Sequence, residues 1–325
     1  MTRKIEWERQ IGRRLKLRDL HIFHTVVERG SMVKAAEQLG VSQPAVSEVV
    51  AELERTLGVR LLDRSPRGVE ATDYGQVLLR RSIAVFDELK QGIRDIEFLA
   101  DPTAGELRIG CAESIASGIL SPIVEDFTRQ YPGVELHINS IAIPTRDFPE
   151  IRNRSLDVVI ARVHGPLRDE DDLHAEILFN DWSVIAAGRQ TEWARRHKID
   201  LAELADQPWV LPPASSWNAI LVAEAFRLSG LPMPKLRLTT FSVHLRASML
   251  VSGPFITALP SSILRLNPNK FAIKALPVDL PMRPWPLAVI TLKNRTMSPV
   301  AQHFIEHVRA FARTFAAGAV VKQSA

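Results

Sequence analysis

In residues 34–54, KAAEQLGVSQPAVSEVVAELE, two helical patterns are separated by nothing longer than a glycine-centred break. This spacing constrains the fold more than any other stretch. Two helices joined so tightly must cross at a steep angle, which needs small and branched residues at the crossing. Ala36 supplies the small residue, Gly40 the sharp turn, and Val46 the branched apolar residue that locks the second helix. Ser31 can cap a helix from Met32 to Leu39. Ser42 can cap the next, with Gln43-Pro44 in its first turn, where the missing proline N–H does no harm. Gln43, Pro44 and Ser47 then lie on the outer face of the second helix at its start, the part that meets base edges in a major groove. Ser31 and Lys34, at the start of the first helix, join Ser42 as further candidate DNA contacts. A purely structural helical hairpin shares the same spacing.

The flanks extend the pattern. Upstream, LRDLHIFHTVVERG places Leu17, Leu20, Ile22, Phe23, Val26 and Val27 on one broad apolar face ending at Gly30. Downstream, GVRLLDRSPRGVEATDYG predicts two short strands with Arg64 and Arg67 flanking their turn, well placed for phosphates or a minor groove. Surface ion pairs are the other reading of these two arginines. The net charge is +4, and residues 1–18 alone hold seven Lys or Arg against Glu6 and Glu8. That segment reads as a polyanion-binding arm or as a solvated basic tail.

Residues 72–100 contain no proline and predict one long helix, capped by Thr72 or Asp73 and stopped by ADPTAG. Leu78, Val85, Leu89, Ile93 and Ile96 form a narrow seam suited to pairing with a second copy, or to burial against the chain's own domain. From residue 106 strand and helix patterns alternate: ELRIGC, a helix, VELHINSI and LDVVIARV, then WSVIAAG, PWVLPP, a helix, KLRLTTF, a helix and FITALP. This predicts mostly parallel α/β sheets in two lobes with a cleft between them. The expected organisation is an arm (1–16), a helical DNA-binding domain (17–71), a linker helix (72–103) and a two-lobed domain (104–315). Its first lobe takes 104–178 and 282–315, and its second 179–281.

The stretch LRDLHIFHTVVERGSMVKAAEQLGVSQPAVSEVVAELERTLGVRLLDRSPRGVEATDYG resembles the winged helix-turn-helix of LysR-type transcriptional regulators. The layout behind it matches too, so the resemblance covers nearly the whole chain. The lead-in IGRRLKLRDLHIFHTVVERGSM is similar to the subgroup containing regulators of a galactose-binding protein. The resemblance implies an α/β effector domain folded like a periplasmic binding protein, a linker-helix dimer, and usually a tetramer on double-stranded promoter DNA. RNA polymerase would be a further partner there. One departure is Glu48, where many members carry a basic residue. A carboxylate there repels phosphate or accepts from a cytosine amino group.

A ligand in such a cleft sits beyond the C-terminal ends of strands, at helix N-termini. That rule selects Ser114 and Thr145 on the first lobe, and Ser215, Ser216, Trp217, Ser242 and His244 on the second. Each residue alone also reads as an N-cap. The family places hydroxyl residues in the same loops.

Catalytic signals are weak. HFIEH at 303–307 fits an inverted zinc-peptidase pattern, but Val300, Phe304, Val308 and Phe311 make the same segment an amphipathic helix. Ser261 and Ser262 lack a nucleophile's setting, and no glycine-rich phosphate loop occurs. No catalytic residue, metal or cofactor is assigned. The single cysteine, Cys111, permits no intramolecular disulfide and reads as core packing, not as a redox sensor. The opening residues lack a signal-peptide layout, and no apolar run approaches the roughly 20 residues that span a bilayer. A cytoplasmic transcriptional regulator, not an enzyme, is therefore expected, controlling promoters in response to a small-molecule effector. The rival reading is a small-molecule-binding or metal-dependent enzyme domain with a helical oligomerisation module.

Overall fold

The computed structural model describes residues 15–66, 68–141, 147–163, 172–266, 271–281 and 283–320, with side chains to residue 316. Most of the basic arm, Arg67 and Thr145 lie outside these residues. Contacts divide the chain into two compact units, one ending at Ile93 and the next beginning at Arg94.

The first unit holds α1 (Leu17–Arg29), α2 (Met32–Leu39), α3 (Gln43–Leu57), the hairpin β1 (Leu62–Ser65) and β2 (Gly68–Ala71), and most of α4 (Asp73–Ala100). Phe23, Val26, Ala35, Val46 and Val50 are fully buried where the three helices meet, and Ala36 and Leu53 close the same core. Burying such an aliphatic or aromatic side chain contributes about 1.5–3 kcal/mol. Leu17 departs from the expected apolar face, being 47% exposed in the first turn. Gly40 ends α2 at φ 65°, the left-handed region that glycine enters without strain. The carboxylate of Glu54 accepts from the backbone N–H of Leu61 (2.8 Å) and Leu62 (3.2 Å), which ties the end of α3 to the hairpin. Thr72 caps α4: its Oγ1 accepts from Gly75 N–H (3.1 Å) and donates to the Arg60 carbonyl (2.7 Å). A Cβ on Gly75 would stand 2.1 Å from the Leu61 carbonyl oxygen, so only glycine lets the helix start lie this close.

The second unit is built on two five-stranded sheets. The first has the order β4 (Gly133–Ser140), β3 (Ala104–Cys111), β5 (Val158–Arg162), β12 (Trp285–Leu292), β6 (Leu173–Asp181). The second has the order β11 (Ile273–Ala275), β7 (Ser183–Gly188), β10 (Ile256–Pro260), β8 (Trp209–Leu211), β9 (Leu236–Thr239). The sheets are mixed, where the sequence pattern predicts mostly parallel ones. β3 runs parallel to β4 and β5, but β12 is antiparallel to β5 and β6. Likewise β8 is parallel to β9 and β10, whereas β7 is antiparallel to β10 and β11. The cause is the path between lobes. β6 passes into β7 across Trp182 alone, with no crossover helix to restore the strand direction.

Between the strands run α5 (Ser121–Gln130), the short α6 (Pro149–Arg152), α7 (Trp217–Leu228), α8 (Val243–Ser252) and α9 (Ser261–Leu266), and α10 (Pro299–Val320) follows β12. Helices α5 and α10 cover the first sheet, burying Leu107, Ile109, Phe127 and Phe304. On the second, α7 packs Val222 and Phe226 against Trp209, Ile256 and Ala258, and the Trp209 indole N–H donates to the Leu204 carbonyl (2.7 Å). Both lobes place strand ends and helix starts toward the same region.

Candidate functional site: a helix-turn-helix face and an inter-lobe cleft

On the first unit, the packing that buries Val46 and Val50 turns the opposite side of α3 outward. Gln43, Pro44 and Glu48 are exposed there and Ser47 is half-buried. Ser42 Oγ accepts from Ala45 N–H (3.4 Å) and Ser31 Oγ from Lys34 N–H (3.4 Å), so both serines cap helices. The Lys34 side chain is exposed beside Val33, itself 55% exposed. The hairpin is pinned to the turn after α1 by Val69 N–H donating to the Gly30 carbonyl (2.9 Å). Arg64 is exposed on β1, opposite Val69.

On α4, Val85, Leu89, Ile93 and Ile96 are 41–69% exposed and share one face with Leu99. Leu78 does not join them. It is half-buried and packs with Leu79 on the core of its own helical domain, because the capped start of α4 lies against Leu61.

The cleft between the two sheets is a cavity of about 310 Å³. Ser114, Ser215, Ser216 and Trp217 line it as the helix-start rule expects. Ser216 Oγ also caps α7 by accepting from Ala219 N–H (3.3 Å). Ser242 and His244 are not among the lining residues. The Ser242 hydroxyl caps α8 by accepting from Leu245 N–H (3.1 Å), and His244 is exposed. Their neighbours Phe241 and Arg246 line the cavity in their place.

Two buried arginines dominate its electrostatics. Arg162, at the end of β5, pairs with Asp181 (2.8 Å) and donates to Ser262 Oγ (3.2 Å) and Ser114 Oγ (3.3 Å). Asp181 also accepts from Ser261 (2.9 Å) and Ser262 (2.6 Å) hydroxyls. Burial alone would raise the Asp181 pKa, but the Arg162 charge and these hydrogen bonds outweigh it and hold the carboxyl below its ordinary value. Arg246 is 2% exposed and donates from Nη1 to the Ala258 carbonyl (3.1 Å). Burial pulls it down to about 10, opposed by the Glu113 carboxylate, so it stays charged at neutral pH. Glu113 lines the same cavity and accepts from the backbone N–H of Val243, the first residue of α8. Asn218 has both amide atoms engaged, accepting from Ser183 Oγ and donating to the Ala258 carbonyl (both 2.7 Å).

Cys111 is fully buried, and burial raises its thiol to about 11. His303 stacks on Tyr131 with centroids 5.5 Å apart, and His307 Nε2 contacts Gln130 Oε1 (2.8 Å). No cluster of three or more His, Cys, Asp or Glu able to hold a metal occurs among the described residues.

Two family models match. Residues 17–76 match the bacterial regulatory helix-turn-helix protein of the lysR family, and residues 100–313 match the LysR substrate binding domain. The chain belongs to the LysR family. This LysR-type regulator is 25% identical over 303 residues to the HTH-type transcriptional regulator GbpR of Azospirillum brasilense, covering 93% of this chain and 88% of GbpR. It is also 25% identical to TdcA of Escherichia coli over 292 residues, 90% of this chain and 91% of TdcA. Among solved structures, full-length CbnR complexed with its target DNA gives a TM-score of 0.62 at 20% identity, covering 91% of this chain and all of CbnR. A full-length OxyR variant from Pseudomonas aeruginosa gives 0.63 at 22% identity, covering 92% of this chain and 95% of OxyR. The LysR fold thus spans both units. The regulator is a DNA-binding transcription factor with an effector-binding domain.

Proposed function

We propose that this LysR-type regulator reads promoter DNA with Gln43, Pro44 and Ser47, while Lys34 and Arg64 hold phosphate and Ser31 and Ser42 place backbone N–H groups toward it. The observation that carries the reading is the exposure of Gln43 and Pro44 at the start of α3, on a helix whose other side is fully buried at Val46 and Val50. The exposed stripe Val85, Leu89, Ile93 and Ile96 pairs two copies. The cleft lined by Ser114, Ser216 and Trp217 takes the small-molecule effector. The regulator works without catalysis. Ser261 and Ser262 donate their hydroxyls to Asp181, and Cys111 carries a protonated, buried thiol. A cytoplasmic location fits a DNA-binding regulator, and no helix among the described residues is long and apolar enough to cross a membrane.

A gel-shift titration on the DNA upstream of the regulator's own gene tests the reading. A retarded complex that resists non-specific competitor is expected, weakened by Gln43→Ala. Equal retention of unrelated DNA would sink it.

A further inference from the structure

The cleft's charges are not symmetric. Arg162 is matched at close range by Asp181 and has hydroxyl partners besides. Arg246 is not matched in this way. It is 2% exposed, Nη1 donates to the Ala258 carbonyl, and among the described residues it has no ion-paired carboxylate. Its Nε, like that of Arg162, is a buried donor with no hydrogen-bond partner there. A buried guanidinium without an ion-paired carboxylate is costly. The nearby anion is Glu113, which comes from the opposite lobe and bonds to the Val243 N–H at the start of α8. That N-terminus carries partial positive charge. The Glu113 carboxylate is thus held at the start of α8 by a hydrogen bond and acts on Arg246 through its charge, without an ion pair between the two among the described residues. Apolar Ile115, Ile141, Trp217, Phe241 and Trp285 share the wall with the hydroxyls of Ser114, Ser140, Ser215 and Ser216.

We propose that the effector of this cleft is a small organic anion with an apolar body, whose acidic group takes the place of the Glu113 carboxylate against Arg246 and the start of α8. Two carboxylates cannot share that spot without strong repulsion, so the ligand's acid displaces Glu113. Glu113 then lets go of Val243, and this one direct bond between the lobes is exchanged for one through the ligand. The inference rests on the proposed effector role of the cleft.

Matched pairs of an acid and its uncharged amide, benzoate with benzamide and hexanoate with hexanamide, serve as probes. Thermal unfolding of the full-length protein is followed with each at equal ionic strength. The acids are expected to raise the midpoint and the amides to do so far less. Losing a charge-assisted hydrogen bond weakens binding about tenfold to a hundredfold, so Arg246→Gln should abolish the acid's advantage. Arg246→Lys, which keeps the charge, should retain part of it. Glu113→Gln, which removes the competing carboxylate, should strengthen acid binding. Phe241→Ala separates the two levels of the claim. Equal shifts by acid and amide that vanish in Phe241→Ala would leave the cleft as a ligand site and overturn the anion. No shift by any probe would overturn both. An acid advantage that survives in Arg246→Gln would place the anion elsewhere and overturn the proposal.

Discussion

At Gln43 the side chain is exposed on a helix held from behind by Val46, so removing it should leave the fold intact and alter recognition alone. Gln43→Ala should cost about 1–3 kcal/mol on the preferred site and relax preference at one base pair, measured by competition with single-base variants. Arg64→Ala should weaken all sequences alike and reduce the salt slope of binding by about one counterion. The Arg162–Asp181 pair behaves differently, being almost wholly buried, with side chains 7% and 1% exposed. Asp181→Asn leaves a buried guanidinium without its counter-charge and should cost about 3–5 kcal/mol in urea unfolding. The pH dependence has a definite sign. The folded pKa of Asp181 is depressed, so its contribution is present above the unfolded value near 4 and is lost as pH falls through the folded value. The stability gap between wild type and Asp181→Asn should therefore narrow below about pH 4. A gap that is unchanged there would mean the carboxylate is not the group that matters.

Among elements, α4 carries a seam that the structure leaves exposed: Val85, Leu89, Ile93 and Ile96. Leu89→Glu and Ile93→Glu should give monomers by light scattering with an unchanged far-UV spectrum, since neither residue supports the core of the single chain. A mutant that stays dimeric would move the interface off this face. The helices of the first unit are legible in sequence because each boundary is set locally, by Ser31, Gly40, Ser42 and Thr72. The mixed sheets are not, because the direction of β6 and β12 is set by where the chain crosses between lobes. Leu78 matches the seam's spacing, yet the close approach at Gly75 turns it into its own domain's core. In the cleft, the rule of helix starts reaches Ser114, Ser216 and Trp217 but misses Arg162 and Arg246. Both carry a visible signal, an arginine ending the apolar run LDVVIAR and another inside HLRASMLVSG. Their meaning comes from partners far along the chain, Ser262 and Glu113, which spacing does not disclose.

At the scale of the whole molecule, the helix-turn-helix region and the substrate-binding domain fall in different compact units. Ser114→Ala should thus leave operator occupancy without effector nearly unchanged and blunt the reporter's response once an inducer is in hand. A lower melting point with full induction would instead assign Ser114 to holding Arg162 in place (3.3 Å). The most direct test of the regulator's function is the ratio of its affinities for its own upstream region and for shuffled DNA of the same composition, at physiological salt. A preference of about 10³ or more is expected for the full chain, falling about tenfold or more in Gln43→Ala, at about 1–3 kcal/mol for one base contact. A ratio near one, or a ratio that Gln43→Ala leaves untouched, would contradict base reading by the exposed start of α3.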